Sequence, residues 1–193
     1  MDPGERETLL AGIWQRVDPR LRPQLEAEFE RAPSSGIAVS GRRLVLVGHR
    51  AAGKSWLLHH VAAWVGLPGF DLDQVIEART GQRVAEWLPR DAVGFRAAER
   101  AQFGALPRPA VVAAGGGFLS LHADLLAPEL AVLVPVTFET HAERLQADPG
   151  RPRLRPHLSL EAELREVFAE REALHAAAPT VRLPALLKAL AGK

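Results

Sequence analysis

Cysteine and tyrosine are absent from this chain of 193 residues, and lysine occurs only three times beside 21 arginines. The absence of cysteine excludes disulfide bonds, a thiolate nucleophile and cysteine-bound metals. The formal net charge is only +1, so neither an electrostatic nucleic-acid binder nor a polybasic membrane anchor is expected. No apolar run approaches the roughly 20 residues that a membrane span needs, and the N-terminus lacks the apolar centre of a signal peptide. These features predict a soluble, cytoplasmic globular protein.

The hydrophobic pattern divides the chain near residue 40. Residues 5–31 carry apolar positions at helical spacing around two prolines, and the small, polar residues 32–41 are typical of a linker. Residues 1–40 are therefore expected to form a helical N-terminal extension. Its apolar stripe should pack either on the main domain or on a second copy, so a monomer is expected and a dimer through the extension stays open. The stripe consists of Leu9, Ile13, Trp14 and Val17.

From residue 41 onward, short apolar runs alternate with helical stretches. Continuous apolar strands are typical of a parallel sheet that is covered by helices on both faces. Residues 41–193 are therefore predicted to form one α/β domain. The predicted strands are 43–48, 69–73, 110–117, 131–136 and 180–184. The predicted helices are 53–65, 74–79, 91–106, 121–127, 138–147, 159–177 and 184–191.

The segment GHRAAGKS, residues 48–55, lies between the first predicted strand and a helix. It matches the P-loop pattern, in which backbone N–H groups surround the phosphates of a nucleoside triphosphate. Lys54 is the lysine that would reach the β- and γ-phosphates, and the Ser55 hydroxyl would ligate Mg²⁺. The pattern predicts ATP and Mg²⁺ as ligands. The expected ATP-binding residues in this segment and directly after it are Gly48, Arg50, Ala51, Ala52, Gly53, Lys54, Ser55 and Trp56.

Further motifs follow in order: DLDQVIEARTG at 71–81, GFRAAE at 94–99, GGG at 115–117, RPRL at 151–154 and EREALH at 170–175. Their order and spacing resemble the shikimate kinase family over nearly all of residues 42–183. The resemblance implies a P-loop NTPase-type three-layer αβα sandwich, with a five-stranded parallel sheet in the order 2-3-1-4-5. It also implies a lid at about 147–158 and a substrate-binding region at about 74–106. The implied reaction is ATP-dependent phosphorylation of the 3-hydroxyl of shikimate, in aromatic amino-acid biosynthesis.

The resemblance also assigns roles to individual residues. It implies that Arg96 and Arg171 bind the substrate carboxylate and that Asp73 accepts a hydrogen bond from the attacking hydroxyl. The remaining implied residues are Asp71 for Mg²⁺, Gly115, Gly116 and Gly117 for the substrate, Arg144 for adenine, and Arg151 for the phosphates. Lys54, Asp73 and Arg151 form the expected catalytic set.

The residue types fit this chemistry independently of the resemblance. A small polyhydroxylated carboxylate calls for guanidinium groups at its acid end and an acidic group at a hydroxyl. Asp71 and Asp73 are two positions apart, so on a strand both would point to the same face. As an alternative, they would be helix N-caps. Glu99 is expected to orient Arg96 through an i,i+3 pair.

Other interpretations stay open. A kinase of another hydroxylated acid such as gluconate, or a non-catalytic ligand sensor, would share the P-loop domain. His175 stands where the family usually has tyrosine, and the segment after residue 183 is short for an adenine-covering loop, which leaves the nucleotide preference open. His49, His59 and His60 suggest a metal cluster only superficially, and packing or surface roles are expected for them.

Overall fold

The computed structural model describes residues 3–34, 37, 41–148, 150 and 153–192. A five-stranded sheet lies at its centre, with every neighbouring pair parallel and the order β2-β3-β1-β4-β5, which confirms the expected topology. The strands are β1 (Arg43–Val47), β2 (Gly69–Asp71), β3 (Ala110–Ala113), β4 (Leu130–Leu133) and β5 (Val181–Arg182).

Eleven helices occur in the described ranges, and none of these is long and apolar enough to cross a lipid bilayer. The first six are α1 (Pro3–Arg16), α2 (Arg22–Arg31), α3 (Lys54–Val65), α4 (Leu72–Thr80), α5 (Val84–Arg90) and α6 (Ala92–Ala105). The others are α7 (Phe118–Leu121), α8 (Ala123–Leu126), α9 (Phe138–Gln146), α10 (Leu160–Ala177) and α11 (Leu183–Ala191).

The central strand β1 supplies side chains to two separate cores. Leu44 and Leu46 belong to one buried cluster with α3, α11 and the N-terminal helices. Val45 and Val47 belong to the other, which includes side chains of α4, α5 and α6. All five residues of the strand are buried, because successive side chains point to opposite faces and both faces are covered by helices. The prediction of a sheet between two helix layers is thereby confirmed.

The N-terminal extension packs on the rest of the same chain. Ile13 and Val17 are buried in the cluster that contains α3, and Trp14 meets Phe29 edge to face at 5.7 Å. Helix α2 packs against α11, where Glu28 pairs with Arg182 at 2.9 Å. Of the two packing partners that the sequence left open, the apolar stripe contacts the main domain.

Several local predictions need correction. The predicted strands at 110–117 and 131–136 are β3 and β4, which end earlier, at Ala113 and Leu133, because the chain leaves the sheet there to form the loops at its carboxyl edge. Strand β2 ends at Asp71 rather than at residue 73, because α4 begins directly after it. Helix α5 was not predicted at all, since its seven residues include Pro89 and are too few to show a clear period. The single helix expected at 121–127 is replaced by the short α7 and α8, with the buried His122 between them.

Asp18, between α1 and α2, joins the extension to α9. Its side chain is only 2% exposed and accepts hydrogen bonds from Thr137 N and Oγ1, both at 2.7 Å, and from Thr140 Oγ1 at 2.9 Å. Burial alone would raise the pKa of Asp18, but the hydrogen bonds from Thr137 and Thr140 outweigh it and lower the pKa. The next residue but one, Arg20, donates to both oxygens of Glu143 on α9, at 2.7 and 3.1 Å. The extension therefore holds the first half of α9.

We expect Asp18→Asn to lower the free energy of unfolding by about 2–3 kcal/mol at pH 7, because an amide turns a donor toward groups that are themselves donors. The loss should shrink at acid pH, since a carboxyl whose folded-state pKa is lowered stabilises the fold only while it is ionised. Urea unfolding at pH 7 and near pH 3 measures both effects, with Glu26→Gln on the exposed face of α2 as the control. An equal loss at both pH values would contradict the assignment.

Candidate functional site

A cavity of about 620 Å³ opens at the carboxyl ends of β1, β2 and β3. Ligand sites of parallel α/β sheets lie at this edge. Its walls come from the P-loop, α4, α5, α6, the glycine triplet and α10. Among the predicted site residues, those that line it are Arg50, Ala51, Gly53, Lys54, Ser55, Trp56, Asp71, Asp73, Arg96, Gly115, Gly116, Gly117, Arg144 and Arg171.

The P-loop is packed tightly against its neighbours. Gly48 has φ of 135°, and a Cβ there would lie 2.6 Å from the carbonyl oxygen of Val134. On the other side, a Cβ on Gly116 would lie 2.5 Å from Cγ of Arg50. Only glycine fits at either position. Gly48 therefore has a structural role beneath the loop rather than in the cavity wall, and the same holds for the buried Ala52.

Lys54 begins α3 and is almost fully buried. Its Nζ donates to the carbonyl oxygens of Gly48 at 3.0 Å and His49 at 2.6 Å. The ammonium group is thus held inside the loop by main-chain oxygens of the same segment. Ser55 follows at the mouth of the cavity, next to the first turn of α3. The segment lies between β1 and α3, which is the position that the P-loop motif requires.

Helix α9 contacts the P-loop through two side chains. His141 Nδ1 donates to Arg50 O at 2.9 Å, and Arg144 Nη1 donates to Ala51 O at 2.8 Å. Trp56 carries the guanidinium group of Arg16 over its ring at 4.9 Å. Arg144 lines the cavity, and its predicted contact with adenine stays a prediction. Nothing in the sequence pattern pointed to His141 or Arg16.

Asp71 and Asp73 both line the cavity, but not as two residues of one strand. Asp71 is the N-cap of α4, and its Oδ1 accepts hydrogen bonds from the main-chain N–H of Asp73 at 3.1 Å and of Gln74 at 3.4 Å. Asp73 lies in the first turn of the helix. The strand-period argument for their common direction was wrong, and the alternative that Asp71 caps a helix is correct. Because the chain turns from β2 into α4 after the Asp71 cap, both carboxylates lie at the cavity.

Desolvation by burial is the main reason that the pKa of Asp73 is raised to about 6. The negative charges of Asp71 and Glu99 raise it further, while Lys54 and Arg96 act in the opposite direction. An ionised Asp73 is therefore costly in the free protein, as is common for side chains that meet a substrate.

We expect Asp73→Asn to raise the free energy of unfolding by about 1–3 kcal/mol at pH 7. A carboxyl group whose folded-state pKa is raised destabilises the fold as the pH rises from about 4 through about 6. Asparagine does not ionise, so the variant does not lose this stability. Chemical unfolding of the protein without nucleotide or divalent cation, at pH 4 and pH 7, is the measurement. A variant that is no more stable than the parent at pH 7, or equally favoured at both pH values, would contradict the argument.

Arg96 on α6 is oriented by a buried carboxylate. Glu99, one helical turn later and fully buried, accepts from Arg96 Nη1 at 2.7 Å, which confirms the expected i,i+3 pair. The same oxygen of Glu99 is 3.0 Å from Nε2 of His122, a partner that the sequence did not reveal. The other oxygen faces the glycine triplet, since a Cβ on Gly115 would lie 3.0 Å from it.

Arg171 reaches the same place from α10. A Cβ built on Gly117 would lie 3.4 Å from Nη2 of Arg171 and 3.4 Å from Nη2 of Arg96, so the two guanidinium groups converge over this glycine. Desolvation by burial, together with the positive charges of Arg50 and Arg96, lowers the pKa of Arg171 to about 10. Its Nη1 is buried and has no hydrogen-bond partner within the part of the chain that the structure describes. Two cations held close together away from water form a site for an anion.

The predicted lid can be followed only in part. Arg151 lies outside the described residues, and so do residues 149 and 152. Gly150 and Leu154 line the cavity. After them the chain is anchored to α10, where Leu154 N donates to Glu163 Oε1 at 2.8 Å and Arg155 pairs with Glu166 and Glu170 at 2.8 and 2.6 Å.

Several cavity residues on α4 and α5 lie in the substrate-binding region predicted at about 74–106, but the sequence did not single them out. Gln74, Glu77, Val84 and Leu88 contribute to the wall. Glu77 lies one turn after Asp73 on α4, and its Oε1 accepts from Val84 N at 2.7 Å, which fastens α5 over the cavity. Besides the predicted region, the i,i+4 spacing of Asp73 and Glu77 is a sequence signal that could have pointed to Glu77 itself.

A P-loop after β1, a sheet in the order 2-3-1-4-5 and an anion site in the same cavity define a P-loop kinase of small molecules. The family model for shikimate kinase matches residues 50–186. The chain belongs to the shikimate kinase family.

Known proteins agree with this placement. The shikimate kinase of Rhodopirellula baltica is 31% identical over 154 residues, which covers 75% of this chain and 82% of that protein. The shikimate kinase of Halorhodospira halophila is 36% identical over 140 residues, 69% of this chain and 78% of the relative. A solved shikimate kinase from Acinetobacter baumannii, in complex with shikimate, superposes with a TM-score of 0.66 at 25% identity, over 77% of this chain and 89% of its own. The Aquifex aeolicus enzyme shares the fold, with a TM-score of 0.61 at 22% identity over 76% and 91% of the two chains.

Proposed function

We propose that this protein transfers the γ-phosphoryl group of ATP to the 3-hydroxyl of shikimate, giving shikimate 3-phosphate and ADP. The observation that carries the proposal is the convergence of Arg96 and Arg171 over Gly117, in the cavity that also contains the P-loop. Two cations that converge in the same cavity as the P-loop favour an acceptor that carries a negative charge.

The acid end of the substrate is bound by this arginine pair. Each guanidinium group can donate two parallel hydrogen bonds to a carboxylate, and burial strengthens both contacts. The buried Nη1 of Arg171 has no hydrogen-bond partner among the described residues, so an incoming carboxylate satisfies a group that is unfavourably placed in the free protein. Glu99 keeps Arg96 pointed at the same spot.

The hydroxyl end of the substrate lies toward Asp73. A carboxylate with a pKa of about 6 is ionised at neutral pH, yet it is basic enough to accept the hydroxyl proton as the phosphoryl group is transferred. Asp73 also lies close to Lys54, whose charge acts on its pKa. The acceptor oxygen and the phosphate donor are thereby brought to adjacent parts of one cavity.

In this proposal the phosphates are bound by the P-loop amides and Lys54, and the resemblance implies a phosphate contact for Arg151 and an adenine contact for Arg144. Ser55 and Asp71 offer oxygen donors at the mouth of the cavity, which suits Mg²⁺. A Mg²⁺ ion held by these two residues would supply positive charge against the negative charge that develops on the phosphates during transfer. Asp71 is held in place by its capping hydrogen bonds, so it contributes a fixed carboxylate rather than a mobile one.

We also propose that the protein works as a cytoplasmic monomer in aromatic amino-acid biosynthesis. The monomer is supported by the N-terminal stripe, which is covered by the main domain of the same chain. The domain organisation that we propose is an extension over residues 1–40 and a catalytic domain over 41–193.

The proposal is tested by ADP release with shikimate, quinate and gluconate as acceptors. We expect shikimate to be preferred. Arg96→Ala and Arg171→Ala should each lower kcat/KM for shikimate by roughly 30- to 1000-fold, equivalent to about 2–4 kcal/mol, and should leave the KM for ATP nearly unchanged. The two losses should not add, because both side chains bind one carboxylate.

Matched controls are Arg100→Ala on α6 and Arg165→Ala on α10, since both arginines are exposed, pair with surface acids and do not line the cavity. These variants should retain the parent kcat/KM. The assignment fails if kcat/KM for gluconate equals that for shikimate, or if the Arg96 and Arg171 variants keep the kcat/KM of the controls.

A further inference from the structure

A cluster of two histidines and a glutamate lies behind the P-loop, on the side of His49 that faces α10. His49 Nε2 is 2.9 Å from Oε2 of Glu172, and His175 follows one helical turn after Glu172. One nitrogen or oxygen from each of the three residues lies within 4.8 Å of the others. Two imidazoles and a carboxylate are thus brought together by the P-loop and a single turn of α10.

Packing alone does not account for this composition. The His49 ring stacks on Phe168 at 4.0 Å and meets the His175 ring at 4.5 Å, contacts that phenylalanine would make equally well. His175 is only 3% exposed, and neither of its ring nitrogens has a hydrogen-bond partner among the residues that the structure describes. Nδ1 of His49 is likewise buried without one. Buried ring nitrogens without partners are costly, so their presence points to a ligand.

We propose that His49, Glu172 and His175 bind a divalent transition-metal ion of the Zn²⁺ class. Two nitrogens and one carboxylate oxygen are a common ligand set for such ions, and they leave a fourth position open. Donor atoms about 2.1 Å from a tetrahedral ion are about 3.4 Å apart, so a spread of 4.8 Å has to contract only by about 1.4 Å. This site is separate from the Mg²⁺ site of Ser55 and Asp71, and the proposal does not depend on the substrate of the kinase.

Solvent access and neighbouring charges determine how tightly the cluster is expected to bind the ion. The Glu172 side chain is 61% exposed, so an ion can enter from solvent as this side chain swings aside and returns as a ligand. The positive charges of Arg171 and Lys54 act on His49 and oppose a cation, while Glu172 supplies one compensating negative charge. We therefore expect micromolar rather than nanomolar affinity.

A bound ion would join the P-loop to α10 next to Arg171. Because His49 is the second residue of the P-loop and Glu172 adjoins Arg171, the ion would connect the phosphate side and the carboxylate side of the cavity. It would also be expected to stabilise the fold, since the unfolded chain does not hold the three ligands together.

The test is a titration of the full-length protein with Zn²⁺, without nucleotide and without Mg²⁺. Calorimetry should give one ion per chain at micromolar Kd, and saturating Zn²⁺ should raise Tm by about 3 °C or more. Co²⁺ in place of Zn²⁺ should produce the visible absorption of a four-coordinate site. His175→Phe keeps the ring shape and Glu172→Gln changes an exposed side chain, and each should weaken binding at least tenfold.

Controls are His59→Gln and Glu161→Gln, which change an exposed histidine and an exposed glutamate outside the cluster and should leave binding unchanged. A Kd above about 1 mM for the unaltered protein would overturn the proposal. The same holds if Glu172→Gln and the folded His175→Phe bind Zn²⁺ as tightly as the controls, because the ion would then be bound elsewhere.

Discussion

The site depends on the close approach of main-chain segments at the carboxyl edge of the sheet. Gly48 lies against the carbonyl of Val134 and Gly116 lies against Arg50, and neither contact leaves room for a Cβ. The P-loop and the glycine triplet consequently share one wall. Because phosphoryl transfer is accelerated chiefly by positioning and charge stabilisation, this packing is the condition on which the rest of the site relies.

Charge is distributed unevenly within that frame. Burial and neighbouring carboxylates raise the pKa of Asp73, whereas burial and neighbouring arginines lower the pKa of Arg171. Both residues are therefore less stable as ions in the free protein than they would be in water. A substrate that brings a carboxylate to Arg171 and a hydroxyl to Asp73 stabilises both ions. The substrate that binds best is therefore the one that compensates both side chains.

Local patterns in the sequence predicted the P-loop and the Arg96–Glu99 pair, because both depend on residues close together in the chain. The sheet order was implied only by the resemblance to a known family, since it depends on pairing between distant strands. Helix α5 escaped prediction since it is short and contains Pro89. The direction of Asp73 was argued from a strand period, but the chain turns into a helix at Leu72 once Asp71 caps it. Contacts over long separations, such as Asp18 with Thr137 or His49 with Glu172, leave no signal in a single sequence. Topology predicts which elements meet, while side-chain pairing across them requires the folded structure.

The central claim is that two converging guanidinium groups recognise a carboxylate. The most direct measurement compares shikimate with its methyl ester as acceptors for the unaltered protein. The ester keeps every hydroxyl, removes the charge and adds one methyl group. The value of kcat/KM should therefore fall at least about 30-fold, the effect expected for the loss of one charge-assisted contact in a buried site. Equal kcat/KM for the ester and the acid would contradict the account, because Arg96 and Arg171 would then bind no carboxylate during the reaction.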